Sequence, residues 1–368
     1  MRFIISGGGT GGHIYPGISL AREIRERNGI NEVVFVGSNK GLEAKIIPRE
    51  GFAFFPIKVR GMKRKICWES FTAIMLFLLS LFSAYRIIKK IKPHCVIGTG
   101  GYVSSSIVFL ASIMGIPTFI HEQNAIPGIT NQLLSLKSRL VLTSFEDTKK
   151  HIWNKKNTLF VGNPVREAIW QGNKRALLRC TNLSAKKKTI LVFGGSRGAN
   201  AINQAVLDSL ALINKKNWDQ WQILMICGED NLSLMKENTK NWQNIVQLIP
   251  YLYRIEDAYD LADLVICRAG ATTIAEIAAT GLPAILIPYP YATGNHQLYN
   301  ARCLEKQKAA IVIKEIDLSG KKLAQILTEL LNDHHKINSL AANSKKIGNQ
   351  KATKKIMDLI FREIKQND

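Results

Sequence analysis

One pattern occurs twice in this chain and restricts its fold more than any other: a short apolar strand, a glycine-rich turn and the start of a helix. It reads Ile4-Ile5-Ser6-Gly7-Gly8-Gly9 in the first copy and Val192-Phe193-Gly194-Gly195-Ser196-Arg197-Gly198 in the second. Around the first copy, β-rich runs at residues 2–6, 32–36, 94–99, 118–122, 139–143 and 159–162 alternate with helix-like segments. After residue 186 the series restarts at 189–194, 222–227, 244–249, 263–267, 284–288 and 310–314. Runs that are apolar on both faces and spaced by helices form a parallel sheet covered on both sides. Two such series predict an α/β chain of two doubly wound, Rossmann-like domains with parallel sheets. Ligands of such sheets lie outside the C-terminal strand ends, so the sheets are expected to face each other across a ligand cleft. The join is expected at Gly162-Asn163-Pro164, with one domain over 1–163 and the other over 164–349. The segment from about 350 to 368 reads as an amphipathic helix expected to pack back on the first domain.

A chain of 368 residues is long enough for two such domains. Its six cysteines are scattered, with no CxxC pair, which argues against a disulfide framework or a zinc ribbon and fits a reducing cytosol. Met1-Arg2 leads straight into a strand, so no signal peptide is expected. The formal net charge is +22, with lysines clustered at 63–65, 89–90, 149–150, 155–156, 186–188 and 354–355. Such charge attracts anionic membranes or anionic substrates, or reflects a lysine- and asparagine-rich composition on a solvated surface. No zinc-finger or RNA-recognition signature accompanies it, so no nucleic-acid partner is expected.

Gly7-Gly8-Gly9-Thr10-Gly11-Gly12-His13 closes the first strand. Glycines let the backbone turn sharply and approach a ligand, and amides at a helix start favour anions. The run satisfies G-x-G-x-x-G, but the second strand ends Val36-Gly37-Ser38-Asn39 without the carboxylate a dinucleotide ribose needs. A nicotinamide or flavin site is therefore disfavoured. His13 beside an anion cradle suggests proton transfer on a phosphorylated substrate. Gly98-Thr99-Gly100-Gly101-Tyr102 and His121-Glu122-Gln123-Asn124 end two further strands at the same edge. Polar residues leaving apolar strands suit sugar hydroxyls and proton transfer. His121 and Glu122 do not form HExxH, so zinc is not implied.

In the second series, residues 267–276 (CRAGATTIAE) follow a strand and open a helix whose small first residues leave room for a diphosphate. Glu276, a turn further in, suits ribose hydroxyls. Residues 288–297 (PYPYATGNHQ) form a long turn whose amides and hydroxyls suit a sugar. Residues 71–85 are strongly apolar, too short for a spanning helix, and flanked by basic clusters at 60–65 and 86–92. A helix of that kind covers a sheet with one face and inserts shallowly into an anionic leaflet with another.

These segments, in this order, resemble the MurG family, the bacterial lipid II synthases of glycosyltransferase family 28. The resemblance spans nearly the whole chain and rests on GGGTGGHIYP (7–16), GTGGYVS (98–104), HEQN (121–124), GNPVR (162–166), GGSRGA (194–199), residues 267–276 and His296-Gln297. It implies a GT-B fold and inverting transfer of N-acetylglucosamine from UDP-GlcNAc to undecaprenyl-pyrophosphoryl-MurNAc-pentapeptide (lipid I). It also implies a peripheral place on the cytoplasmic face of the cell membrane, no cofactor and no metal, and partners in the cell-wall machinery. By motif, Thr10, Gly11 and Gly12 approach the donor, and Asn124 contacts its sugar. Arg166 and Ser196 contact the nucleotide, and Leu252 the uracil. Ala271, Thr272, Thr273, Ile274, Ala275 and Glu276 hold phosphate and ribose, and Gln297 the sugar. Tyr102, His121 and Glu122 join His13 as acceptor-side and catalytic candidates. Asn131, Asn203 and Arg268 match further polar positions of the family. Within the apolar run at 71–85, Ile74, Leu78 and Phe82 are the residues expected to contact the membrane. His296 stands where the family often carries a second glutamine.

The acceptor hydroxyl is a poor nucleophile, and a positioned base contributes about 10²–10⁴-fold. His13 is the first candidate for that base and Glu122 the second; sequence does not separate them. Glycine-turn amides and helix dipoles are expected to stabilise the departing diphosphate. Three other classes stay open. One is another UDP-sugar enzyme of this fold, such as a 2-epimerase or a diacylglycerol glucosyltransferase. The others are an NAD-dependent oxidoreductase and a membrane-associated binding protein without turnover.

Overall fold

The computed structural model describes residues 1–59, 68–195 and 198–366; of residues 68–74 and 76 it describes the backbone alone. The chain forms two compact units, Met1–Arg166 with Gln350–Asp368, and Glu167–Asn349.

The first unit carries a parallel sheet of β1 (Arg2–Gly7), β2 (Glu32–Ser38), β3 (Ala53–Ile57), β4 (Cys95–Gly100), β5 (Thr118–Glu122), β6 (Leu140–Thr143) and β7 (Thr158–Phe160). Its spatial order is β3-β2-β1-β4-β5-β6-β7. Alternation along each strand sends side chains to two separate cores. Phe3, Ile5, Val33, Phe35, Cys95 and Ile97 face α1 (Gly11–Arg27) and the C-terminal helix Ala352–Lys365. Ile4, Val34, Val36 and Val96 face α3 (Trp68–Ile91) and α4 (Ser105–Ile113). The short α2 (Glu43–Arg49) links β2 to β3, and α5 (Ile129–Ser135) follows β5.

The second unit repeats the plan with β8 (Lys188–Phe193), β9 (Trp221–Ile226), β10 (Val246–Ile249), β11 (Leu264–Cys267), β12 (Ala284–Leu286) and β13 (Ala310–Val312). Here the order is β10-β9-β8-β11-β12-β13. In both sheets the strand order reverses beside the first strand, between β1 and β4 and between β8 and β11. A crevice at the C-terminal strand ends opens at such a reversal.

Every run read from the sequence is a strand, and β3 is an addition. Ala53-Phe54-Phe55-Pro56-Ile57 pairs with β2 alone, with Pro56 opposite Gly37. A proline that cannot donate to a ladder is tolerated on such an edge, and it masks the strand in the sequence.

The C-terminal helix returns to the first unit through Ile356, Met357 and Ile360, which are fully buried against α1 and β1. Arg27–Asp358 and Arg139–Glu363 ion pairs flank it, and such partly exposed pairs add little beside the burial. Ile360→Ala is expected to destabilise the first unit by about 2–5 kcal/mol through the cavity it leaves. The measurement is urea-dependent hydrogen exchange, in which β1 and β4 amides lose protection at lower denaturant than in the parent.

Candidate active site

In the first unit, the turns after β1 and β4 interlock. Gly8 N–H donates to the Gly100 carbonyl at 3.3 Å. Thr99 Oγ1 donates to the His13 carbonyl at 2.7 Å, and a Cβ on Gly7 would lie 1.9 Å from that hydroxyl oxygen. Gly100 has φ +102°, and a Cβ there would stand 2.7 Å from His13 Nδ1. The glycines of the second motif thus make the space that the histidine of the first motif fills.

His13 is half-buried at the start of α1. Its Nδ1 lies 3.1 Å from the Thr99 carbonyl and 3.0 Å from Gln123 Oε1. A carbonyl only accepts, so Nδ1 carries the proton and Nε2 holds the lone pair. Tyr102 is 37% exposed, with its ring beside Gly9. Arg166 stacks its guanidinium on Tyr15 of α1, 4.8 Å from the ring centre.

His121 and Glu122 are held differently from His13. His121 is fully buried, and burial pushes its imidazole down to about 4, against the Gly162 carbonyl that raises it. Glu122 is 1% exposed. Its Oε1 accepts from Asn124 N at 2.9 Å and Asn124 Nδ2 at 3.2 Å; its Oε2 accepts from Gly128 N at 3.2 Å and Asn131 Nδ2 at 2.7 Å. All four contacts occupy the carboxylate from inside the fold. It fixes the loop that presents Asn124, and Asn131, only 3% exposed, is part of that clasp.

The anion cradle of the first turn also needs correction. Glu43, at the start of α2, is 1% exposed and accepts from Gly9 N and Ser38 N, each at 3.0 Å. With Gly8 N on the Gly100 carbonyl, two of the turn's amides are already occupied. A carboxylate therefore does stand beside the end of β2, but it clamps the glycine turn and offers a ribose nothing. The first turn of α1, with Thr10 and Gly11, follows directly. Nothing in the sequence singles out Glu43, and only tertiary contact reveals its partners.

In the second unit, the same strand edge carries the turn after β8. Gly198, at φ +73°, lets the turn press on the Cys227 carbonyl, which a Cβ would meet at 2.1 Å. Asn203 Nδ2 donates to that carbonyl at 3.0 Å from a fully buried position, so Asn203 braces the turn. Ser196 lies outside the described residues.

After β11, Gly270 caps the helix Ala271–Thr280. Thr272, Thr273 and Ala275 are half-buried and Ala271 is 7% exposed. Ile274 is 2% exposed and spends its amide on the Gly270 carbonyl, so it offers a ligand no group of its own. Glu276 is 5% exposed and accepts from Tyr259 Oη at 3.2 Å, a partner the sequence does not signal. Arg268 pairs with Glu315, reaches the Ile287 and Pro288 carbonyls, and lies over the Tyr289 ring at 5.3 Å. Gln297 Oε1 accepts from Tyr289 N at 2.9 Å. Leu252 is half-buried between Tyr251 and Tyr253, whose rings meet edge to face. Among the described residues no cluster of three His, Cys, Asp or Glu side chains could hold a metal ion.

Residues 3–143 match the glycosyltransferase family 28 N-terminal domain and residues 189–360 its C-terminal domain. Two doubly wound units with these domains define a glycosyltransferase of the GT-B class. A UDP-N-acetylglucosamine–N-acetylmuramyl-(pentapeptide) pyrophosphoryl-undecaprenol N-acetylglucosamine transferase from Desulforamulus reducens is 43% identical over 98% of both chains. The Bacillus licheniformis enzyme of that name is 40% identical over 100% of both. The crystal structure of Acinetobacter baumannii MurG superposes with a TM-score of 0.79 at 27% identity, covering 98% of this chain and 99% of that one. The chain belongs to this family of N-acetylglucosamine transferases.

Gly100→Ala should force backbone out of a left-handed conformation and push the His13 ring aside. Misplacing a catalytic group by an ångström costs about 100-fold, so turnover should fall at least that far. Gly51→Ala, at φ +77° with open space around it, is the control and should lose stability without a comparable loss of turnover.

Proposed function

We propose that this enzyme transfers N-acetylglucosamine from UDP-GlcNAc to undecaprenyl-pyrophosphoryl-MurNAc-pentapeptide, with inversion at the anomeric carbon, making lipid II for peptidoglycan. The observation that carries the reading is 43% identity, along 98% of both chains, to a transferase named for that donor and acceptor. The acceptor hydroxyl gives its proton to His13 Nε2 as its oxygen bonds the anomeric carbon. The bond from that carbon to the diphosphate breaks, and UDP leaves with the electron pair. The imidazolium that forms is stabilised through Nδ1–H by the Thr99 carbonyl and Gln123 Oε1. His13 is favoured over Glu122 because its second ring nitrogen is uncommitted to those inward contacts, whereas both Glu122 oxygens are occupied.

Thr10, Gly11, Gly12 and Asn124 serve the donor sugar and diphosphate from the first unit, with Tyr102 beside the acceptor. In the second unit, the first amides of the helix Ala271–Thr280 hold phosphate, Glu276 accepts from ribose hydroxyls, Leu252 meets the uracil and Gln297 the sugar. Arg166 and Ser196 contact the nucleotide.

The deciding assay mixes purified protein, UDP-GlcNAc and a short-chain lipid I analogue. UDP release should require both substrates; release without the acceptor points to a 2-epimerase or hydrolase instead. His13→Ala should lower turnover by about 10²–10⁴-fold with UDP affinity little changed. Near-parental turnover would remove His13 from the chemistry.

We also place the enzyme on the cytoplasmic membrane surface as a peripheral protein. Among the described residues no helix is long and apolar enough to cross a membrane. On α3, Met75, Leu78, Leu79, Phe82 and Tyr85 are each 44–59% exposed, while Ala84, Ile88 and Ile91 are buried. The exposed stripe recurs at three- and four-residue steps, so it lies along one side of the helix. Arg86 sits over Phe82 and Lys89 over Tyr85, setting cations beside the apolar stripe. The Ile74 side chain and the basic run at 60–65 lie outside the described residues. Burying a Leu or Phe side chain contributes about 1.5–3 kcal/mol. The double variant Leu78→Ser, Phe82→Ser should therefore partition at least about tenfold less onto anionic vesicles. Equal partition of variant and parent would refute this face.

A further inference from the structure

Gln123 was not among the site residues expected from the sequence, yet it is 1% exposed and touches both His13 and His121. Its Nε2 lies 2.7 Å from the Thr99 carbonyl, 3.2 Å from the His121 carbonyl and 3.0 Å from His121 Nδ1. Two of those three atoms are carbonyl oxygens, which only accept, so this end of the amide is the NH₂ group. Its Oε1 consequently faces His13 Nδ1 at 3.0 Å. His121 Nδ1 is then an acceptor, and the imidazole's proton sits on Nε2, 3.0 Å from the Gly162 carbonyl.

Three main-chain carbonyls, of Thr99, His121 and Gly162, thereby fix the direction of every hydrogen bond from Gly162 to His13. The order runs His121 Nε2–H to Gly162, Gln123 Nε2–H to His121 Nδ1, and His13 Nδ1–H to Gln123 Oε1. Reversing any one link would set two donors or two acceptors against each other in a buried site, at a cost of order 1–3 kcal/mol. The low titration of His121 agrees with this order, since a neutral ring keeps Nδ1 as an acceptor.

We infer that Gln123 is a positioning residue that holds His13 in the Nδ1–H tautomer, so that Nε2 faces the substrate as an unprotonated base. The inference deepens the reading of His13 as the general base and rests on it for its catalytic consequence, though not for the tautomer itself. In this order the proton that His13 Nε2 receives stays on His13, and Gln123 and His121 keep theirs. The buried amide orients the ring and accepts from the imidazolium; it does not carry protons away.

Two measurements test this. In the parent protein with ¹⁵N-labelled histidine at alkaline pH, His13 should show a protonated Nδ1 and an unprotonated Nε2. The opposite pattern overturns the proposal. In Gln123→Met, which keeps the volume but removes both amide contacts, the Thr99 carbonyl alone holds Nδ1–H, so the Nδ1–H tautomer should lose population to the other and turnover should fall about 10–100-fold, with UDP affinity unchanged. Combined with His13→Ala, the Gln123→Met substitution should cost less than about twofold more. A loss that multiplies fully in the double variant means that Gln123 acts on the fold rather than through His13, and overturns the assignment. If His13→Ala keeps full turnover, the base reading fails, and the ¹⁵N pattern still decides the tautomer. That spectrum needs no substitution, so a misfolded Gln123→Met leaves the test intact.

Discussion

The close approach of the turns after β1 and β4 is the constraint on which the first unit's chemistry depends. These strands are neighbours at the point where the sheet reverses its order, so their C-terminal ends emerge side by side. Side chains on both turns would keep them apart. Glycine at 7, 100 and 101 removes that obstacle: a Cβ on Gly101 would meet the Gly8 carbonyl at 2.5 Å. With the backbones in contact, Thr99 can give its hydroxyl to the His13 carbonyl and its own carbonyl to the His13 ring. Main chain of one strand therefore sets the pose of a side chain on the next helix. A main-chain carbonyl has no rotamers to lose, which makes this a cheaper way to orient an imidazole than a second flexible side chain.

Buried carboxylates follow the same logic with the opposite sign. An ionised carboxylate taken from water without partners costs several kcal/mol. Glu43 and Glu122 avoid that cost by accepting backbone amides at loop ends, Gly9 and Ser38 for one, Asn124 and Gly128 for the other. Each spends its charge on local geometry: Glu43 fixes the glycine turn, and Glu122 fixes the loop into α5. Glu276 also accepts from a side chain, the Tyr259 hydroxyl. A phenol can turn toward or away from an incoming hydroxyl more readily than a peptide N–H.

The sequence made the architecture legible because a doubly wound sheet writes itself in apolar runs. Strands such as Ile4-Ile5 or Val192-Phe193 are buried on both faces, and their spacing alone indicates the helices between them. Edge strand β3 escaped because Pro56 and partial exposure break the run. Motif residues at strand ends were legible as a group, since glycine and polar residues have no other reason to interrupt such strands. Their individual roles were not. His121, Glu122 and His13 look alike as titratable groups; only the tertiary structure gives Glu122 four donors and His121 complete burial. Gln123, Glu43 and Tyr259 were silent for the same reason, since each acts through a partner distant in sequence or folded back across a turn. The over-reading of the glycine turn as an open anion cradle has one physical cause: an internal carboxylate had already taken the place of the ligand's charge.

The positive charge and the apolar stripe of α3 act on different scales. A net charge of +22 raises the concentration of the chain near an anionic leaflet over roughly a Debye length, about 8 Å at physiological salt. It carries no orientation. The stripe has orientation but acts only at contact, through the apolar area it removes from water. Arg86 over Phe82 and Lys89 over Tyr85 join the two effects on one helix face, because a cation stacked on an aromatic ring can reach headgroup phosphate while the ring enters the acyl boundary. Salt weakens the first effect and leaves the second, so on the proposed membrane-surface reading charge would govern how fast the enzyme reaches the surface and the stripe which way it lies there. On the membrane-surface reading proposed above, an acceptor tethered to the leaflet would require the second more than the first.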